Sequence, residues 1–107
     1  MGQTHSLLEA STTTATSSIV HPQRFTDESG IFQVEYGGSG TFTITIEGRA
    51  TDSADWYKID EFKQNSSDDH NDMVSDTTIA SVVVLFPQMR ANLSANSAAT
   101  VSAWLVE

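Results

Sequence analysis

Between Thr41 and Glu47 the chain reads Thr-Phe-Thr-Ile-Thr-Ile-Glu, so Phe42, Ile44 and Ile46 alternate without a break with threonine and glutamate. A period of two places the apolar side chains on one face of an extended strand and the polar ones on the other. A helix would need apolar residues every three to four positions, and no segment of ten or more residues has that pattern. The chain therefore has to build its core from sheet faces.

The same period recurs. Phe32, Val34 and Tyr36 share a face opposite Gln33 and Glu35, and Gly37-Gly38-Ser39-Gly40 then offers four residues permissive of a turn. This arrangement predicts a hairpin of 31–36 with 41–47. Trp56–Phe62 reads as a further strand, and 64–76 as a long exposed loop. The run Ser81-Val82-Val83-Val84-Leu85-Phe86 is apolar on both faces, as in a central strand or one covered by another subunit, and Pro87 ends it. Residues 88–95 alternate again, Asn96-Ser97-Ala98 reads as a turn, and 100–106 closes the set. With an early strand at 18–21 the count reaches about seven, spaced as in an antiparallel β-sandwich or jelly-roll.

Residues 1–18 differ from this body. They are rich in serine, threonine and alanine, and Leu7 and Leu8 are their sizeable apolar groups. Such a segment cannot bury enough surface alone to offset its ordering entropy. It reads either as a disordered tail or as an extended arm that orders on a neighbouring subunit. The second reading makes Leu7, Leu8, Ile19 and Val20 interface residues, with 1–18 as arm and 19–107 as the β-sandwich body.

Composition limits the function. A chain of 107 residues is one domain's worth. The 14 acids against 5 bases leave a net charge of −9, and the bases stand singly among acids. This disfavours nucleic acid and anionic membranes as partners, since both require a basic patch. No cysteine is present, which excludes disulfides, thiolate zinc sites and a thiol nucleophile. The N-terminal residues lack the basic and apolar regions of a signal peptide, and the longest apolar run is far too short to span a bilayer.

The chemistry-bearing candidates are weak. Asp68-Asp69-His70-Asn71-Asp72 with Asp76 is rich in carboxylates, but the spacing fails the EF-hand pattern, with Met73 where glycine belongs. His5, His21 and His70 form no zinc-holding pair. No Gly-x-Ser-x-Gly elbow occurs, and no carboxylate pair stands out. No catalytic residue, metal site or cofactor is expected, and the chain is not read as an enzyme. Trp56 and Tyr57 form a candidate surface aromatic site, the feature a carbohydrate-binding sandwich would use; the plainer role for Trp56 is to plug one end of the sandwich.

The run Gly40-Thr41-Phe42-Thr43-Ile44-Thr45-Ile46-Glu47-Gly48, followed by a polar stretch and Trp56, resembles small β-sandwich virion proteins of tailed bacteriophages. Phe86-Pro87-Gln88-Met89-Arg90-Ala91-Asn92 and Ala99-Thr100-Val101-Ser102-Ala103-Trp104-Leu105 are similar to the closing strands of those proteins. The resemblance covers residues 30–107 and carries no catalytic residues. It implies a structural subunit located in the virion, used in many copies. The role expected from it is a capsid decoration (cement) protein that binds the major capsid protein or other virion subunits and itself, as a trimer. A neck or tail adaptor is the alternative within that class, and a carbohydrate-binding module the alternative outside it.

Overall fold

A computed structural model describes residues 3–23, 29–64 and 78–107. The fold is all-β and antiparallel, as the alternation requires. Six strands are present among the described residues: β1 (Thr4–Ser11), β2 (Ala15–Thr16), β3 (Ser29–Arg49), β4 (Tyr57–Gln64), β5 (Thr78–Val84) and β6 (Gln88–Val106). The expected strand at 18–21 is present as a single bridge, Val20 to Met89.

Two strands dominate. β3 runs for 21 residues and β6 for 19. They pair along their whole length, from Ile31 opposite Val106 to Arg49 opposite Gln88. The remaining strands attach to this ladder. On the β3 side, β5 pairs with 29–35 and β4 with 42–48. On the β6 side, β1 pairs with 101–106 and β2 with Asn92 and Leu93.

This corrects both expected turns. Gly37–Gly40 does not reverse the chain, and neither does Asn96-Ser97-Ala98; each lies inside a continuous strand, and the two face each other, with Gly38 opposite Ala99 and Thr41 opposite Ser97. The register slips by one residue between Gly38 and Thr41 and slips back between Thr43 and Ile44, the signature of two opposed bulges. Left-handed backbone conformations occur at Gly38 (φ 87°) and Ala98 (φ 63°). Glycine and short polar residues suit a bend for the same reason that they suit a turn: both need unusual φ and close backbone approach.

The bend folds the sheet over itself. Phe32, on the first half of β3, stacks on Phe62 of β4 at 5.5 Å between centroids. Tyr36 meets Phe42 across the bend at 5.2 Å. Ser81 Oγ of β5 donates to Asp60 Oδ2 of β4 at 2.6 Å, so the two outer strands meet on the far side. Phe32, Val34, Phe42, Ile44 and Ile46 from β3, with Met89, Ala91, Leu93, Val101, Ala103 and Leu105 from β6, fill the space between the halves.

The separate arm is also corrected. β1 and β2 belong to the same sheet as the body, and Leu7 and Leu8 are buried in its core cluster. The serine-rich composition concealed a strand whose two leucines suffice because β6 supplies the face they cover. The far end of this edge is tied by Glu107, whose side chain is 2% exposed: Oε2 lies 2.5 Å from His5 Nε2, and Oε1 accepts the Gln23 backbone N–H at 2.8 Å.

Two outcomes test this architecture. A Cβ built at Gly40 would lie 1.8 Å from the Ser97 carbonyl oxygen, whereas one at Gly37 meets nothing within 4 Å. Gly40→Ala should therefore cost about 3 kcal/mol in urea unfolding, with Gly37→Ala near neutral. Leu8→Ala should cost about 2–4 kcal/mol, the loss expected of a core leucine rather than of a free arm.

Candidate functional site

The bend gives the molecule two outer sheet faces, and they differ in chemistry. The face over the second half of β3 is polar. Glu47, Arg49, Gln88 and Arg90 lie on it as opposite pairs in the β3–β6 ladder. Arg90 Nε donates to Glu47 Oε1 at 2.7 Å, and Arg49 Nε to Gln88 Oε1 at 2.8 Å; Gln88 Nε2 donates in turn to Asp52 Oδ1. Both guanidinium groups lie over the Trp56 ring, Arg49 at 4.3 Å and Arg90 at 4.2 Å from its centroid. Further along, Thr45 Oγ1 and Thr16 Oγ1 both donate to Asn92, to its carbonyl oxygen at 3.4 Å and to Oδ1 at 3.3 Å. The polar groups on this face meet one another.

Trp56 is thereby engaged. A sugar ring stacking on the indole would have to displace guanidinium groups already held by carboxylate and amide partners. Tyr57, by contrast, is 60% exposed and tilts against Phe86 at 6.0 Å. The two residues proposed as one aromatic surface are thus in different environments. The arginines were not singled out from the sequence as functional candidates. Their signal was available in the spacing: 47, 49, 88 and 90 alternate with buried positions, which puts them on one outer face.

The face over the first half of β3 is apolar. Ile31 stands between Val82 of β5 and Val106 of β6, Gln33 between Ala80 and Trp104, and Val84 opposite Ser29. Val82 is 73% exposed, Val84 56% and Ile31 42%. Scattered exposed apolar residues are ordinary; three neighbours on one sheet face, bordered by half-buried Val106 and Trp104, form a patch. This answers the alternatives left open for the run at 81–86. Among the described residues β5 is an outer strand rather than a central one, pairing with β3 alone. Val83 and Leu85 enter the core, and Val82 and Val84 face outward.

Of the expected interface residues, Leu7 and Leu8 are interior, Val20 is half-buried at its bridge to Met89, and Ile19 is exposed. None of the four adjoins the apolar patch in the sheet pairing. His5 is bound to Glu107 and His21 is exposed, while His70 and the acidic stretch 68–76 lie outside the described residues. Among the described residues, no group of three or more histidine or acidic side chains is placed to hold a metal ion.

Comparison with protein-family models, with curated proteins and with solved structures found no match.

The Trp56 cluster yields a direct test. Trp56→Ala should lower the unfolding free energy by about 1–2 kcal/mol, the sum of two partly exposed cation–π contacts, as read by thermal or urea denaturation. A stability unchanged by the substitution would mean that the indole does not hold the two arginines.

Proposed function

We propose that this chain is a structural subunit of a virion, used in many copies, with capsid decoration as its role. The observation that supports the reading best is the apolar face of Ile31, Val82 and Val84, exposed among the described residues of an otherwise well-packed all-β body. A long bent ladder gives such a face a fixed shape. A rigid presented surface binds with little ordering cost, which suits a subunit that coats a larger object. The resemblance of residues 30–107 to small phage virion proteins points the same way.

Decoration works by mass action. A subunit that binds the assembled shell and not its dissociated parts stabilises the shell by RT ln(1 + [L]/Kd), about 4 kcal/mol when the free subunit stands at a thousandfold excess over Kd. The charge of −9 keeps the unbound subunit soluble and would complement a basic shell surface. The major capsid protein is the partner this role requires. A neck or tail adaptor would use the same body at low copy number. Carbohydrate binding through Trp56 is less favoured, because the indole already carries Arg49 and Arg90.

Quantifying the chain by mass spectrometry in phage particles purified from a lysate that produces it separates these roles. Hundreds of copies per particle are expected for decoration. Six or twelve would move it to the neck or tail, and absence from purified particles would contradict the virion reading altogether.

A further inference from the structure

We propose that β5 is the self-association edge of this protein, and that its occupant is β5 of a second copy, paired antiparallel about a two-fold axis at Val82. The inference rests on the structural-subunit reading above for its use in an assembly, and goes further by naming the surface and the partner.

An exposed strand edge presents unpaired backbone groups and invites another strand. Soluble proteins blunt such edges with charge, proline, bulges or short length. Among the described residues two outer strands flank the first half of β3 and the second half of β6, β5 and β1, and they differ in these devices. β1 carries His5 and Glu9, and its register is broken twice, between Ser6 and Leu8 and between Leu8 and Ser11. It also contains Ala10 in the left-handed region (φ 48°). β5 has none of these. Its seven residues, Thr-Ile-Ala-Ser-Val-Val-Val, include no charge, no proline and no glycine, and its register with β3 runs from Ser29–Val84 to Glu35–Thr78 without a slip. A straight, uncharged, β-branched edge at the border of an apolar face is suited to continuing the sheet.

Charge selects the partner and its direction. In a chain of net charge −9, most surfaces repel a second copy, whereas β5 itself carries no charge, and the one carboxylate hydrogen-bonded to it among the described residues, Asp60 of β4, accepts from Ser81. The nearest charge on the same outer face is Glu35, opposite Thr78 at one end of β5. Antiparallel pairing sends the two Glu35 carboxylates to opposite ends of the joint, whereas parallel pairing would set them side by side. It also extends the patch, since Val82 and Val84 of one copy then lie beside Val82 and Ala80 of the other. A two-fold joint of this kind is isologous and closes at two copies. It gives a dimer, where the phage resemblance implies a trimer.

The full chain is free of cysteine, so single-cysteine variants report proximity without background. Sedimentation should give the wild type a dimer mass at about 100 µM, and Val82→Lys should weaken association at least tenfold with the far-UV dichroism unchanged. Under mild oxidation Val82→Cys should cross-link to a dimer. Thr78→Cys should not, because a two-fold axis at Val82 sets the two copies of position 78 eight residues, about 27 Å, apart along the strands. Equal cross-linking along β5 would mean parallel pairing and overturn the proposal. So would a monomeric wild type, or a trimer whose mass Val82→Lys leaves unchanged. Should Val82→Lys disturb the dichroism, the cross-linking pattern decides alone. Any of the overturning results leaves the count of copies in purified particles, and so the virion reading, standing on its own test.

Discussion

The pairing of β3 with β6 is the interaction on which every other element depends. Each of the four shorter strands touches the ladder along one half of one of its strands, and β5 and β4 hang from β3 as β1 and β2 hang from β6. Two strands of this length cannot stay flat and still enclose a core, because a sheet buries a face only against another layer. The bend at Gly37–Gly40 and Ser97–Ala99 supplies the second layer from the same two strands. Gly40 is held where a side chain would strike the Ser97 carbonyl, so the bend depends on the absence of a Cβ. Phe32 reaching Phe62 is the consequence: residues from the two halves of one sheet become opposite walls of one core.

The bend also divides the outer surface. Over the second half of β3, arginine, glutamate, glutamine and tryptophan close on one another, and the surface is spent on internal contacts. Over the first half, valine and isoleucine face outward with nothing described above them. The same ladder thus makes one outer face self-sufficient and leaves the other exposed among the described residues.

The sequence made the strand character of nearly every element legible, and it made the core face legible as well. Even-numbered positions from Phe32 to Ile46 carry the inward residues without losing phase across Gly37–Gly40, which is what a continuous strand requires. The hairpin reading missed this because glycine-rich stretches serve turns and bends alike, and only the pairing partner distinguishes them. On β6 the odd-numbered phase of Met89–Leu93 returns at Val101–Leu105, since the two bulges cancel. Leu7 and Leu8 were legible as apolar but not as interior, because their composition resembles a tail and the face they cover is built 95 residues later. The outward role of Val82 and Val84 was half legible: a run apolar on both faces signalled burial by something, and among the described residues both side chains face outward. The arginine–tryptophan cluster joins three distant segments: the alternation of 47 with 49 and of 88 with 90 shows that each pair faces outward, and only the ladder brings the pairs together beside Trp56.

The central claim is that 31–36 pairs with 101–106, and 41–49 with 88–97, in one bent ladder. Cross-strand nuclear Overhauser contacts measure this directly. The account predicts backbone contacts of Val34 with Ala103 and of Ile44 with Leu93 in the same molecule. Contacts of Val34 with Thr43 and of Leu93 with Val101, the pattern of two separate hairpins turning at Gly37–Gly40 and Asn96–Ala98, would contradict it.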